Sequence, residues 1–246
     1  MLVTFRCKIL CHQLIYYTQM ADIIEFTDFL AVRLQKKLPG KEAHFKMVPS
    51  VRLDEFDPIP EKARLSSVLI LLFEKNAKIH TILIQRPEYN GVHSAQISFP
   101  GGGYEKKDLS AQQTALREAQ EEIGIDPDTI EVIGNLTELY IPPSNYRVIP
   151  YIAFCREIGE LNPDRHEVKK ILTVPIEDFA GTKNVKSKKI KIQNGSIYET
   201  CYYDIMGQTV WGATAMILSE FAELYEEFCN TKISANSKPG ADSFIK

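Results

Sequence analysis

Neither sign of charge predominates in this sequence, and cysteines and long apolar runs are scarce. The 246 residues carry a formal net charge of −3, so the electrostatics of the whole chain do not favour nucleic acid as a partner. The 5 cysteines are scattered and show no spacing typical of metal ligands. Because an odd, scattered set of cysteines is typical of a reducing compartment, we expect a cytoplasmic protein.

No apolar run long enough to cross a bilayer is visible. The segment over residues 1–19 is mildly apolar, but charged and polar side chains interrupt it and no small-residue cleavage site is evident. We therefore predict neither a signal peptide nor a membrane partner. Since the chain from Met20 onward reads like an ordinary protein start, we expect residues 1–19 to be a non-native or disordered extension. We expect one globular domain over residues 20–230 and a disordered tail over residues 231–246.

A glycine-rich turn followed by an amphipathic helix is the most informative stretch, and it reads FPGGGYEKKDLSAQQTALREAQEEIGI. Asp108 or Ser110 can cap the start of the helix, and Gly124 suits its end because glycine adopts the left-handed conformation at little cost. At about 100° per residue, one face of the helix carries the apolar residues that would pack. These are Leu116, Ala119 and Ile123.

Three glutamates, Glu118, Glu121 and Glu122, fall on another face of this helix. Like charges at this spacing repel one another, so they are mildly destabilising in an isolated helix. Divalent cations such as Mg²⁺ prefer oxygen ligands and would offset the repulsion. A charge run usually marks a solvated face, but the glycine turn ahead of this helix favours a metal site beneath a diphosphate.

The stretch resembles the signature of the Nudix hydrolases, which is a glycine, a spacer and then R-E-apolar-x-E-E-x-G-apolar. The residues that match its second half are Arg117, Glu118, Ala119, Glu121, Glu122, Gly124 and Ile125. The first half departs, because the position of the family's glutamate, eight residues before the arginine, holds Leu109. If the FPGG segment sets the alignment instead, the spacer is one residue longer and contains the acidic residues Glu105 and Asp108.

The resemblance implies an α/β/α sandwich with a mixed β-sheet, and a hydrolase that uses Mg²⁺ or Mn²⁺. It implies that Glu118 and Glu122 are metal ligands and that Glu121 is a third ligand or the general base. Arg117 would orient a glutamate through a charge-assisted hydrogen bond. The backbone carbonyl of Gly102 or Gly103 is a further candidate ligand.

A second motif lies upstream and resembles a pattern of the coenzyme A diphosphatase branch of that family, L-x-x-R followed later by H-x-G-Q-V-x-F-P-G-G. The matching residues are Leu83, Arg86, His93, Gln96, Ile97, Phe99, Pro100, Gly101 and Gly102, while Ala95 replaces a glycine. The resemblance implies cleavage of coenzyme A or its derivatives to 3′,5′-ADP and (acyl-)4′-phosphopantetheine. It makes Arg86, His93 and Gln96 candidates for substrate binding, with a structural ion pair as the alternative for Arg86 and a structural role for His93.

Two further segments carry candidate residues. The loop YIPPSNYRVIP resembles a loop of the same branch, so Ser144 and Tyr146 are candidates for substrate binding. In various Nudix enzymes a glutamate outside the signature helps to hold metal or acts as a base. Glu167 is our candidate for this role because it lies just before a predicted strand, and its alternative role is to position the chain by hydrogen bonding.

Two other functions are weighed against this one. The first is a Nudix hydrolase of another nucleoside diphosphate derivative, such as ADP-ribose or a dinucleoside polyphosphate, and the upstream motif argues against it. The second is a non-catalytic nucleotide-sensing domain of a regulator. The three intact glutamates and the lack of a basic helix-turn-helix segment argue against that reading.

Strands and helices are mixed along the rest of the chain. We predict strands over Leu65 to Phe73, Ile79 to Gln85, Ile97 to Phe99, Ile130 to Leu139, Val148 to Phe154, Ile171 to Val174, Lys188 to Ile192 and Tyr198 to Tyr203. The first two form a hairpin, and so do the last two, around Asn194-Gly195. Helical spacing recurs over Ile23 to Leu38 and over Val210 to Phe228. The first of these helices is predicted to pack on its own domain, with a homodimer contact as the alternative.

Overall fold

The computed structural model of the chain describes residues 22–48, 59–88, 94–191, 195 and 197–236. Within these residues, a mixed sheet of eight strands lies between helices, and a second, three-stranded sheet is antiparallel. The eight strands are β1 Arg64–Lys75, β2 Lys78–Gln85, β3 Ile97–Ser98, β4 Gly101–Gly103, β5 Ile130–Asn135, β6 Leu139–Ile141, β7 Tyr146–Cys155 and β8 Lys170–Pro175. The small sheet consists of β9 Val185–Lys191, β10 Ile197–Ile205 and β11 Gln208–Val210. The predicted α/β/α sandwich with a mixed sheet is confirmed.

Strand β1 is the centre of the large sheet. It runs parallel to β7, and it pairs antiparallel with β4 near its start and with β2 near its end. Leu69, Leu71 and Phe73 pack on the side of helix α3, Ala111–Ile123, whereas Ile70 and Leu72 pack against the opposite helices. Because both faces of the strand are covered, its sequence is a continuous apolar run rather than an alternating one.

The opposite layer consists of α1 over residues 22–33, the short helix α2 Lys41–Phe45 and the long helix α4 Gly212–Asn236. The ring of Phe26 contacts those of Phe221 and Phe228, at centroid distances of 6.1 and 5.0 Å. Helix α1 therefore packs within its own chain, as the periodicity predicts, and a homodimer contact stays a prediction. Among the described helices, none is both long enough and apolar enough to cross a membrane.

A buried carboxylate ties this layer to the sheet. Glu220 of α4 is fully buried and lies 2.9 Å from Nε2 of His44 in α2. The same carboxylate accepts hydrogen bonds from the backbone N–H of Gly40 at 3.1 Å and from Oγ1 of Thr137 at 2.6 Å. Since Thr137 lies between β5 and β6, one side chain joins three segments that are distant in sequence.

Several boundaries differ from the prediction. The predicted strand region over Ile130 to Leu139 is two strands, β5 and β6, and each pairs with β7. Helix α1 ends at residue 33, before the predicted Leu38. Helix α4 continues to Asn236, six residues past the boundary expected at 230. Both predicted hairpins are present as the antiparallel pairs β1–β2 and β9–β10, while residues 1–19 and 237–246 lie outside the described residues.

Candidate active site

Helix α3 begins and ends at capped positions. The side chain of Ser110 accepts a hydrogen bond from the backbone N–H of Gln113, so Ser110 is the N-cap and Asp108 is not. Gly124 ends the helix in the left-handed region at φ 72°. Ala115, Ala119 and Ile123 are fully buried against the sheet. The helix is therefore fixed along its length, which fixes the glutamates that it carries.

Three carboxylates converge beside this helix. Glu118, Glu122 and Glu167 each offer one carboxylate oxygen, and these oxygens all lie within 4.8 Å of one another. Glu118 and Glu122 stand one turn apart on α3, whereas Glu167 comes from the loop before β8. Glu122 is only 1% exposed, while Glu167 is exposed to solvent. We refer to these three residues as the carboxylate triad.

Backbone hydrogen bonds bring Glu167 to the helix. The loop over residues 156–169 docks on the last turn of α3, where the N–H of Asn162 donates to the carbonyl of Ile123 at 2.9 Å and the N–H of Asp164 donates to that of Glu122 at 3.1 Å. These carbonyls lack partners within the helix because they belong to its last turn. The loop thus supplies hydrogen-bond donors to the last carbonyls of the helix. Glu167 follows Asp164 by three residues and is brought to the helix by the same loop.

The glycine strand β4 lies directly against the triad. The N–H of Gly101 donates to Oε2 of Glu122 at 2.8 Å. A Cβ added at Gly101 would lie 2.3 Å from the carbonyl oxygen of Ser67, and one added at Gly102 would lie 2.5 Å from the carboxylate of Glu118. Gly101 has no room for a side chain because the nearest atoms are backbone, so glycine is required there. A side chain at Gly102 would displace the carboxylate of Glu118.

Burial and repulsion between neighbouring carboxylates favour the protonated forms of Glu118 and Glu122. Burial raises the pKa of Glu122 to about 8, and repulsion from Glu118 and Glu167 adds to the shift, while the N–H of Gly101 and the charge of Arg86 oppose it. Burial also raises the pKa of Glu118, although its hydrogen bond from Arg117 opposes this shift. Carboxylates that repel one another at a partly buried site fit a divalent cation, because the cation stabilises their charged forms and accepts oxygen ligands.

Arg117 organises the acidic residues around it. Its guanidinium binds Asp108 through two hydrogen bonds, Nε to Oδ1 at 2.9 Å and Nη2 to Oδ2 at 3.0 Å. Nη1 donates to Glu118 at 2.8 Å and to Glu121 at 2.7 Å, and Nη2 also donates to the carbonyl of Gly103 at 3.0 Å. The guanidinium thus contacts Glu118 and Glu121 directly, and the role of Arg117 in orienting a glutamate stays a prediction.

Asp108 was predicted from the sequence only as a possible helix cap, and the structure gives it a different role. It is 3% exposed, and it accepts hydrogen bonds from the backbone N–H of Glu105 and from the hydroxyl of Thr114, both at 2.9 Å. Its hydrogen bonds with Arg117 hold the pKa of Asp108 well below its ordinary range. Asp108 is therefore a fixed, buried anion that anchors Arg117. Its position in the lengthened spacer was the one signal for this role in the sequence.

Glu121 is not one of the three converging carboxylates. One of its oxygens accepts from Arg117, and the other lies 3.4 Å from Nζ of Lys107. The side chain is about half exposed, at 48%. Its assignment as third ligand or general base stays a prediction, as does the carbonyl of Gly102 as a ligand.

The remaining candidates surround the same strands. Nη1 of Arg86 lies 3.6 Å from Oε1 of Glu122, and the carbonyl of Gln96 accepts the backbone N–H of Arg86 at 3.0 Å. The hydroxyl of Tyr146 would lie 3.4 Å from a Cβ added at Gly103, so Tyr146 borders the glycine strand. The hydroxyl of Ser144 is buried and has no hydrogen-bond partner within the described part of the chain. His93 lies outside the described residues.

A family model described as the NUDIX domain matches residues 63–198, a range that contains β1 to β9 and the whole carboxylate triad. The chain belongs to the Nudix hydrolase family. Divalent metal ions are the general cofactors of Nudix hydrolases, and the triad has the donor atoms that such an ion prefers.

Curated relatives carry the same family name. The protein is similar to Nudix hydrolase 15, mitochondrial, of Arabidopsis thaliana, with 34% identity over 178 residues, which cover 70% of this chain and 62% of that protein. Nudix hydrolase 22, chloroplastic, of the same plant is 31% identical over 192 residues, which cover 75% of this chain and 63% of that protein. Peroxisomal coenzyme A diphosphatase NUDT7 of Mus musculus is 29% identical over 136 residues, which cover 55% of this chain and 57% of that protein. The chain thus spans less than two thirds of the length of each of these three relatives.

The structure accounts for the departure from the Nudix signature at Leu109. This leucine is 90% exposed and cannot serve as the acidic partner of the signature arginine. Asp108, one position earlier, takes that place through its paired hydrogen bonds with Arg117. Asp108 thus forms the buried ion pair with Arg117 that Leu109 cannot form.

Proposed function

We propose that this chain hydrolyses the diphosphate bond of coenzyme A or its acyl derivatives, giving 3′,5′-ADP and (acyl-)4′-phosphopantetheine, with the help of Mg²⁺ or Mn²⁺. The observation that carries the hydrolase proposal is the carboxylate triad packed against a glycine strand within a matched Nudix domain. The choice of coenzyme A is supported by the upstream motif that contains Arg86 and Gln96. It is also supported by similarity to the mouse protein named as a coenzyme A diphosphatase.

The chemistry divides between a bound cation and the residues of the chain. Glu118, Glu122 and Glu167 would hold the cation, which when bound lowers the pKa of its water and offsets the negative charge of the diphosphate. Arg117 would keep the carboxylate of Glu118 in place through the hydrogen bond that its Nη1 donates. Glu121 or Glu167 would accept the proton of the attacking water, and Arg86, His93, Gln96, Ser144 and Tyr146 would contact the rest of the substrate.

Product identification tests this proposal. The purified chain is incubated with coenzyme A and Mg²⁺ in heavy-oxygen water, and the products are analysed by mass spectrometry. We expect 3′,5′-ADP and 4′-phosphopantetheine, with the heavy oxygen on one of the two new phosphates. Parallel reactions contain acyl-coenzyme A, ADP-ribose or a dinucleoside tetraphosphate. Faster turnover of ADP-ribose than of every coenzyme A form would refute the substrate while leaving the hydrolase proposal intact.

Replacement of a single triad residue tests the catalytic site. Glu122→Gln should lower kcat by about 100-fold or more, since it removes a buried charge that would hold the cation. The matched control is Glu131→Gln, which changes an exposed glutamate on β5, outside the site. Circular dichroism spectra should match for all three proteins. A Glu122→Gln enzyme with turnover close to that of the wild type would contradict the assignment of the triad.

A further inference from the structure

Arg86 is paired with the most deeply buried carboxylate of the triad. Its Nη1 lies 3.6 Å from Oε1 of Glu122, whose other oxygen accepts the N–H of Gly101. The side chain of Arg86 is 30% exposed, whereas that of Glu122 is 1% exposed. The guanidinium therefore lies at the boundary between the buried carboxylate and the solvent from which cation and substrate arrive.

This pair is held by charge rather than by a hydrogen bond. A separation of 3.6 Å is longer than a hydrogen bond between nitrogen and oxygen. Nε of Arg86 is buried without a hydrogen-bond partner among the described residues. The backbone N–H of Arg86 donates to the carbonyl of Gln96, which holds the start of the side chain at the end of β2. No hydrogen bond from this guanidinium to Glu122 has to break when the two separate, and the backbone bond to Gln96 can stay in place.

A divalent cation would compete with Arg86 for Glu122. The cation would be held by the same carboxylate, and two positive groups within a few ångströms repel strongly where solvent is largely excluded. The diphosphate of the substrate supplies the anion that both groups need. A guanidinium binds phosphate oxygens through two parallel hydrogen bonds, which its contact with Glu122 does not provide.

We propose that Arg86 exchanges partners during the binding cycle, pairing with Glu122 when no divalent cation is present and with the diphosphate when a cation occupies the triad. This inference rests on the proposed function. The exchange keeps Arg86 from binding a diphosphate before the cation arrives. Cation and diphosphate then strengthen each other's binding, and the coupling is reciprocal.

The test measures binding without turnover. The probe is the methylene-bridged analogue of ADP, whose P–C–P bridge resists hydrolysis. Its Kd is measured by calorimetry in EDTA at pH 9, where Glu122 is ionised because its pKa is about 8. Glu122→Gln should release Arg86 and tighten binding about tenfold, the gain expected from one charge-assisted pair. The double variant Arg86→Gln/Glu122→Gln should lose this gain. Glu118→Gln is the matched control, since it removes the same charge while Arg86 stays paired, and its effect should be unchanged by adding Arg86→Gln.

Two results would overturn the exchange. The first is a gain in Glu122→Gln that persists without Arg86, because it would reflect the lost negative charge alone. The second is no gain in a Glu122→Gln protein that is folded by circular dichroism.

A second measurement is independent of Glu122 variants. In Mg²⁺, Arg86→Gln should weaken binding of the analogue about tenfold, whereas in EDTA it should change binding less than twofold. Mg²⁺-dependent binding that does not depend on Arg86 overturns the exchange alone. If the wild type does not bind the analogue in Mg²⁺, the exchange is overturned, whereas the proposed function is decided separately by the product analysis with coenzyme A.

Discussion

Arg117 makes hydrogen bonds with three carboxylates and one backbone carbonyl, and Asp108 is the partner that fixes it. Asp108 is buried and binds the guanidinium at two points, whereas Glu121 is half exposed. The pKa of Asp108 is held well below its ordinary value by Arg117, so this anion persists across the neutral range. Its contribution to stability is present above the unfolded pKa of about 4 and is lost only in acid.

Asp108→Ala should lower the free energy of unfolding by about 3 kcal/mol, because it leaves the largely buried Arg117 without its principal partner. It should also lower kcat, since Arg117 would no longer be fixed beside Glu118. Urea denaturation and steady-state kinetics measure the two effects. Glu105→Gln is the matched control, because Glu105 is exposed and lies 3.9 Å from the same guanidinium. Equal stability of the two variants would refute the anchoring role.

Helical spacing predicted two members of the triad and could not supply the third. Glu118 and Glu122 are four residues apart, so helix geometry alone places them one above the other. Glu121 is rotated by about 100° from Glu122, and it faces Arg117, its i−4 neighbour, instead. The role of Asp108 depends on a loop conformation that periodicity does not describe, and its position in the lengthened spacer was the one signal for that role.

The position of the loop over residues 156–169, and of Glu167 within it, depends on contacts between elements rather than on local sequence. Glu167 reaches the triad because backbone groups of this loop bind the end of α3. Gly124 permits this contact, since it has a φ of 72° and its Cβ position lies 2.7 Å from the carbonyl oxygen of Asn162. The sequence marked Gly124 as a helix end, but the choice of the chain segment that docks there is made by tertiary contacts.

Gly124→Ala should therefore move the loop and weaken metal binding. The variant adds a methyl group at a left-handed residue that has backbone only 2.7 Å away, so we expect a loss of about 1 kcal/mol or more in unfolding free energy. We also expect several-fold weaker Mn²⁺ binding in calorimetry, because Glu167 would leave the triad. Gly159→Ala is the control in the same loop, since its Cβ would meet nothing within 4 Å. Weaker folding with unchanged Mn²⁺ affinity would show that the loop holds Glu167 independently of the helix end.

Local sequence patterns did not predict the order of strands in the sheet either. Apolar runs predicted β1, β2 and β7, and the turn residues predicted the hairpin between the first two. The parallel pairing of β1 with β7 joins segments about 80 residues apart, and it depends on the helices that cover both faces. The resemblance to a known family, rather than the pattern of residues, supplied the α/β/α arrangement.

The protein as a whole combines a small net charge with a concentrated acidic site between its layers. The formal net charge is only −3, yet Glu118, Glu122 and Glu167 meet within 4.8 Å. Folding gathers these charges, whereas unfolding separates them and returns them to water. The stability of the cation-free protein should therefore depend on pH through this site.

The sign of that dependence follows from Glu122. Its pKa rises from an ordinary value of 4.5 to about 8 on folding, so between these values the folded state binds more protons than the unfolded state. The unfolding free energy of the EDTA-treated protein should fall as pH rises from 5.5 to 8, by up to about 1.4 kcal/mol per pH unit. Mg²⁺ should reverse this loss of stability, and increasingly so at higher pH, because it binds the ionised carboxylates of the folded state.

Denaturation curves of the wild type and of Glu122→Gln from pH 5.5 to 8 measure how the unfolding free energy depends on pH. The variant should show a flatter profile in EDTA, and parallel profiles would mean that Glu122 is already ionised in the folded protein at pH 5.5.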